Sequence, residues 1–353
     1  MKKKYVIAYM RDGGLETITE EDAKKLTHVN LAFGKIDSEG KIYTKLKNLN
    51  ELERIRKYNP EIKFLISLGG WGNGGFSEAA MTEESRKFFN EEAIRFMKEH
   101  KLDGIDIDWE YPTSSISGIT SSPKDKENFT LLLKDLREAL DKEGKKDNRH
   151  YLLTIAAGAD EYFIRFTNMK KVQKYLDYVM LMTYDFRGGF QILTGHHTNL
   201  YTSSGDIFPS SIMNSVKLFE AAGVPSEKLL IGSAFYSRSW TGVPNVNNGY
   251  LQMAQSTGGI SQDFTDLDRD YINKNGYTRY WDDEAKAPYL FNGDNFISYD
   301  DEESISHKTK YVKDNNLRGI MFWLYDADKT GKLLNAIRPG AGYSPSARCG
   351  APR

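Results

Sequence analysis

DGIDIDWE, Asp103 to Glu110, is the stretch from which the fold can be read. Successive side chains on a strand point to opposite faces, so Asp106, Asp108 and Glu110 share one face while Ile105, Ile107 and Trp109 share the other. An acidic alternation ordinarily marks a strand with one face in water. Here the opposite face is apolar and the other strand-like runs look buried, so the acids are expected to face an enclosed interior.

Outward from it lie seven further apolar runs, rich in β-branched and aromatic residues: YVIAYM from Tyr5, HVNLAFGKI from His28, FLISLGGW from Phe64, LLTIAAGA from Leu152, YVMLMTYD from Tyr178, LLIGSAFY from Leu229 and GIMFWLYD from Gly319. Helical spacing of apolar residues fills the gaps, most clearly from Thr82 to His100 and from Lys124 to Leu140. Strands this apolar, alternating with helices, call for a parallel sheet covered on both faces. Eight such units predict an α/β fold of the closed (β/α)8 TIM barrel type, with the acids facing its axis. A doubly wound open sheet is the alternative, but MRDGGLETI after the first run carries no phosphate-binding glycine pattern.

The seventh and eighth runs stand about 80 residues apart, far more than a strand-to-helix connection needs. Within that gap, GYTRYWDDEAKAPYLFNGDNFISYDD places Asn292-Gly293 between two alternating runs, a hairpin signal. The expected division is a barrel from residues 1–237 and 304–338, a small α+β insertion over 238–303, and a flexible tail, PGAGYSPSARCGAPR, over 339–353. An insertion after the seventh strand would wall the C-terminal mouth of the barrel, where such folds keep their sites. The eight units themselves are expected to fold without it.

A net charge of −1 over 353 residues supplies no basic field for nucleic acid or acidic lipid. Cys349 is the only cysteine, which excludes an intrachain disulfide, thiol catalysis and a cysteine metal cluster. Met1 to Lys4 resembles the charged start of an export signal, but the apolar run behind it ends at Arg11. No run approaches the roughly 20 apolar residues of a membrane span. A soluble chain without membrane or nucleic-acid partners, and a monomer, is the expectation.

Three carboxylates about 7 Å apart along one strand face cannot all ionise without cost, so at least one must hold its proton near neutrality. Glu110, nearest the C-terminal end, is best placed to deliver that proton to a substrate. Asp106, the deepest, is the candidate to share one with Asp108. A divalent metal is the competing use of three acids, but no histidine is interleaved with them and no HxH or HExxH spacing occurs. Neither a metal nor a cofactor is expected.

DGIDIDWEYP resembles the DxxDxDxE signature of the family 18 glycoside hydrolases, the chitinase family. SLGGW from Ser67, MTYD from Met182, SAFYSR from Ser233 and GIMFW from Gly319 resemble that family's motifs at the third, sixth, seventh and eighth strands, and the inserted segment resembles its insertion subdomain. The likeness implies hydrolysis of β-linked N-acetylglucosamine polymers, chitin and its oligomers, with retention and by substrate assistance. Glu110 would protonate the glycosidic oxygen, Asp108 would hold the substrate's N-acetyl group as it closes to an oxazolinium ion, and Asp106 would support Asp108. Tyr184 would bond the acetyl group, with Asp185 and Met182 beside it and Trp323 as the floor beneath the sugar. Tyr9, Phe33 and Trp71 match aromatic positions around that sugar, and Tyr236 and Arg238 match wall residues.

Taken without the resemblance, Tyr9, Phe33 and Trp71 read as barrel core and Met182 as filler. Two departures bear on leaving-group stacking: Phe190 stands where many relatives carry Trp, and Ala234 and Ser237 stand where they carry Pro and Gly. Other N-acetylglucosamine linkages, in peptidoglycan or the core of N-linked glycans, are the second reading. A non-catalytic chitin-binding lectin is the third, disfavoured by the presence of Glu110, Asp108 and Tyr184. Relatives of this type are usually exported; with no signal visible in the chain, a cytoplasmic location is the alternative.

Overall fold

A computed structural model describes residues 4–337. The tail expected over 339–353, with Cys349, lies outside the described residues. Eight strands, Tyr5–Met10, His28–Ile36, Lys63–Gly69, Gly104–Asp108, Leu152–Gly158, Tyr178–Met182, Leu229–Ala234 and Gly319–Trp323, pair in parallel in chain order. The first pairs with the eighth through Tyr5↔Gly319 and with the second through Ile7↔His28, so the sheet closes as a barrel. Every apolar run read from the sequence supplies one barrel strand.

The packing follows from the alternation. Trp109, pointing away from the barrel axis, is buried, stacks on Phe76 at 5.4 Å and meets Phe129 edge-on at 5.6 Å. Phe76 opens the helix Phe76–Met81 and Phe129 lies on the helix Asp125–Asp147, so one strand residue clamps two helices. Burying a side chain of this size stabilises by about 1.5–3 kcal/mol. The helix Glu83–Glu99 starts at a reciprocal cap: Ser85 N–H donates to Thr82 Oγ1 at 3.1 Å, and Thr82 N–H to Ser85 Oγ at 3.0 Å. The helix Asp125–Asp147 runs seven residues past Leu140, where its apolar period ends. Lys and Glu are good helix formers, so the solvated turns persist until Asn148 adopts the left-handed conformation that closes the helix.

Asp103 opens the signature but works at the opposite, N-terminal mouth. Its carboxylate accepts from Phe64 N–H at 2.9 Å and from Arg56 at 3.1 Å, and pairs with Arg149. It ties the third and fourth strands to the helix Glu51–Tyr58 and to the loop ahead of the fifth strand, and stands apart from the chemistry.

Five antiparallel strands form a second sheet in the order Gly259–Asp263, Tyr236–Trp240, Phe296–Ser298, Ala287–Phe291, Thr278–Asp282. Asn292-Gly293 begins the four-residue turn between two of them, where Asn292 Oδ1 accepts from Asn295 N–H at 2.7 Å and Gly293 sits at φ +98°. The sheet packs its own aromatics, Trp240, Tyr250, Tyr289 and Phe296, yet Phe264, Leu267, Leu290, Ile297 and Tyr299 belong to the core that fills the barrel wall. Asp300, at its exit, is fully buried against Lys308 Nζ at 2.5 Å and accepts from Ala234 N–H at 3.0 Å. The barrel and this segment share one core. A chain-wide pattern of strands and helices carries no information about such shared burial.

Candidate active site

The site is built on register. Asp106 is paired with Ser67 on the third strand and Thr154 on the fifth, and both hydroxyls donate to it, at 2.8 and 2.7 Å. Tyr9 donates a third bond from the first strand at 2.9 Å. Burial raises the Asp106 carboxyl, and hydrogen bonds from these three hydroxyls and Asn30 offset only part of that rise. Asp108, one layer higher, is raised well above the usual carboxylate range by burial and then by the charges of Glu110 and Asp106. Its Oδ1 is buried and meets no donor among the described residues.

Glu110 lies two residues beyond the end of the fourth strand, half-buried at the mouth. Burial lifts it to about 7; the Tyr111 hydroxyl opposes that rise and the Asp185 charge adds to it. Two glycines give this segment its room. Gly69 and Gly70 both have positive φ, and a methyl on Gly69 would stand 2.1 Å from Asp108 O, while one on Gly70 would meet the Phe33 ring at 2.7 Å. Gly70 N–H instead donates to that same carbonyl at 2.9 Å.

Around the acids, the structure gathers most of the residues singled out from sequence. Trp323 stacks on Phe33 at 5.4 Å and 19°, and lies 5.7 Å from Tyr9. Tyr184 is half-buried with its hydroxyl toward Met321 Sδ at 3.9 Å, and its ring occupies space that any side chain at Gly232 would fill. Met182, half-buried, closes the sixth strand. Asp185, at φ +59°, accepts from Tyr236 at 2.6 Å and is forked by Arg238, Nε at 2.7 Å and Nη2 at 2.6 Å. Burial alone would raise Asp185, but its contacts with His197 and Arg238 outweigh that and hold it well below the usual carboxylate range. Trp71 is 52% exposed, edge-on to Tyr111 at 6.4 Å, and Phe190 is 72% exposed on the loop after the sixth strand.

Tyr9, expected either as barrel core or as an aromatic around the sugar, is a fully buried ring whose hydroxyl donates to Asp106, a bond the sequence did not suggest. Several participants carried no assignment from sequence. Thr154 is a lone hydroxyl in an apolar strand, a readable signal. His197, Tyr111 and Met321 offered none, because their roles depend on which loops meet.

A closed (β/α)8 barrel whose fourth strand carries a buried ladder of acids toward its C-terminal mouth is the framework of a glycoside hydrolase. The profile of the Glycosyl hydrolases family 18 matches residues 5–328, and the chain belongs to that family. It is 40% identical over 327 residues to Chitinase A1 of Niallia circulans, a match covering 86% of this chain and 46% of that protein. Chitinase B of Serratia marcescens is 28% identical, over 92% of this chain and 77% of its own. Among solved structures, a family 18 N-acetylglucosaminidase from Paenibacillus barengoltzii superposes with a TM-score of 0.93 at 56% identity, covering 95% of this chain and 99% of that one.

Proposed function

We propose that the chain hydrolyses β-linked N-acetylglucosamine polymers, chitin and its oligomers, with retention and through an oxazolinium intermediate formed by the substrate itself. The observation that carries this reading is the contrast within the ladder: one acid poised near neutrality at the mouth, Glu110, above a buried Asp108 oxygen that lacks a donor among the described residues. Glu110 gives its proton to the glycosidic oxygen as the bond to the anomeric carbon breaks. The acetamido carbonyl oxygen of the same sugar forms the new bond, and Asp108 Oδ1 accepts from the acetamido N–H. Asp106, held by Tyr9, Ser67 and Thr154, supports Asp108 from beneath by sharing one proton with it. Glu110, now ionised, deprotonates the water that opens the ring from the same face.

Tyr184 orients the acetyl group, with Met182 and Asp185 beside it. Trp323 and Phe33 cradle the sugar with Tyr9 packed behind Trp323, while Trp71 and Phe190 offer exposed faces on the leaving-group side and Tyr236 and Arg238 line the wall. The segment over 238–303 serves as a subdomain that deepens the groove, and the protein acts outside the cell as a monomer. A second reading, release of single N-acetylglucosamine units from chain ends, is favoured by the neighbour at 56% identity, described as an N-acetylglucosaminidase.

Partially deacetylated chitosan is the discriminating substrate, because only acetylated sugars carry the attacking group and a correctly held neighbouring group supplies much of the rate. Every new reducing end should be N-acetylglucosamine and the first-formed anomer β, both read by NMR of early products. Glucosamine reducing ends or an initial α anomer would sink the mechanism. Product lengths separate chain cleavage from terminal release, and parallel tests on peptidoglycan and glycan-core substrates expose the alternative linkages.

A further inference from the structure

His197 lies on the loop between the sixth strand and the helix Ile212–Ala221, and its side chain is fully buried. Its backbone is fixed at both ends: its N–H donates to Ser298 Oγ at 2.9 Å, and its carbonyl accepts from Phe186 N–H at 3.1 Å. Phe186 directly follows Asp185, whose φ of +59° is uncommon for a residue with a side chain. The His197 ring packs on Tyr236 at 5.3 Å and directs Nδ1 at Asp185 Oδ1 from 3.6 Å, longer than a hydrogen bond. Both ring nitrogens lack a hydrogen-bond partner among the described residues. His197 therefore anchors the backbone next to Asp185 through its own carbonyl, and its imidazole faces the carboxylate and the tyrosine that bonds it.

Resting on the reading of the site above, we propose that His197 is a positioning residue of the hydrolytic centre: its imidazole edge holds Asp185 in place beneath the Arg238 fork, and gaining a proton releases that arrangement. Neutral, the ring presents a polar edge without competing for the carboxylate. Protonated, it becomes a cation that draws Asp185 Oδ1 to itself, away from Tyr236 and Arg238, and cancels the negative charge that Glu110 feels. The groups facing it are Asp185 from the sixth-strand loop, Tyr236 and Arg238 from the strand Tyr236–Trp240, and Asp300 ahead of the helix Glu302–Asp314. Burial and the Arg238 charge disfavour the cation, and Asp185 and Asp300 only partly offset them, which places the change on the acid side of neutrality.

Two variants divide positioning from packing. His197→Asn keeps a polar edge but cannot titrate; kcat near neutrality should stay within about threefold, while the acid limb of kcat moves down by about one pH unit. His197→Phe keeps the ring on Tyr236 but removes the polar edge; kcat should fall about tenfold with KM changing less than threefold. A His197→Phe enzyme with wild-type kcat, or a His197→Asn enzyme with the wild-type acid limb, overturns the inference. If the Phe variant fails to fold, as judged by thermal melting, the Asn pH profile decides alone. Glu110→Gln is run beside them: its survival as an active enzyme would refute the reading of the site, whereas an inactive Glu110→Gln with unchanged His197 variants refutes only the role of His197.

Discussion

The Tyr9 hydroxyl donates to Asp106 Oδ2 across 2.9 Å, joining the first barrel strand to the fourth beneath the acid ladder. It is one of three O–H donors that hold Asp106 against the upward push of its burial. Tyr9→Phe leaves Ser67 and Thr154 in place and removes a bond to a charged group, an interaction of about 1.5–3 kcal/mol. The expected result is a kcat lowered about tenfold or more, with KM changed little. An unchanged kcat would mean that two donors suffice.

The titration of Glu110 near 7 fixes the alkaline side of the rate profile. The acid is active when protonated, so kcat/KM should fall as pH rises through about 7. Glu110→Gln should lower kcat by about 10²- to 10⁴-fold and leave oligosaccharide affinity intact. An alkaline limb far above 7, or a variant that keeps a tenth of wild-type kcat, would rule Glu110 out as the proton donor.

The same carboxyl bears on stability, with a definite sign. The folded state holds this proton up to about 7 while the unfolded chain releases it near 4.3, so folding loses stability as pH climbs between those values. Glu110→Gln should therefore melt higher than wild type at pH 8 and nearly level with it at pH 4. Differential scanning calorimetry at the two pH values reads the difference.

Lys308 is a cation with no exposed surface, bonded to Asp300 at 2.5 Å and to Thr198 Oγ1 at 2.7 Å, and Thr198 in turn donates to the Thr183 carbonyl at 2.9 Å. Lys308→Met strands the Asp300 charge and should cost about 3–5 kcal/mol. Adding Asp300→Asn should restore a large part of the loss. A single variant as stable as wild type in urea unfolding would show that the pair is not buried in solution.

Replacing residues 241–300 with a short linker removes Phe264, Leu267, Leu290, Ile297 and Tyr299 from the shared core and Asp300 from Lys308. The truncated chain should fail to fold cooperatively. A soluble truncation with a sharp melt would show that the barrel closes without it.

The barrel was legible because parallel strands covered on both faces leave nearly unbroken apolar runs, and seven of the eight survive as such in the sequence, the fourth being interrupted only by its acids. The ladder was legible because alternation converts directly into facing. Other features depend on distant segments meeting, and local pattern is silent there. SYDDEESISHK reads as a charged surface, yet Asp300 and Lys308 are sealed within it. GHHTNLY shows a histidine doublet, but only the fold reveals that His197 comes within reach of Asp185 and Tyr236.

The alternation of Ile105, Asp106, Ile107 and Asp108 also acts as a reading frame. Inserting or deleting one residue ahead of Asp106 would flip the phase of the rest of the strand, turning the carboxylates into the layer packed by Phe76 and Phe129 and aliphatic side chains into the pocket. Ser67 and Thr154 would then face isoleucine, two hydroxyls with nothing to bond. The segment can vary in spelling but not in length, so any drift of the site over generations has to enter through the loops beyond Asp108.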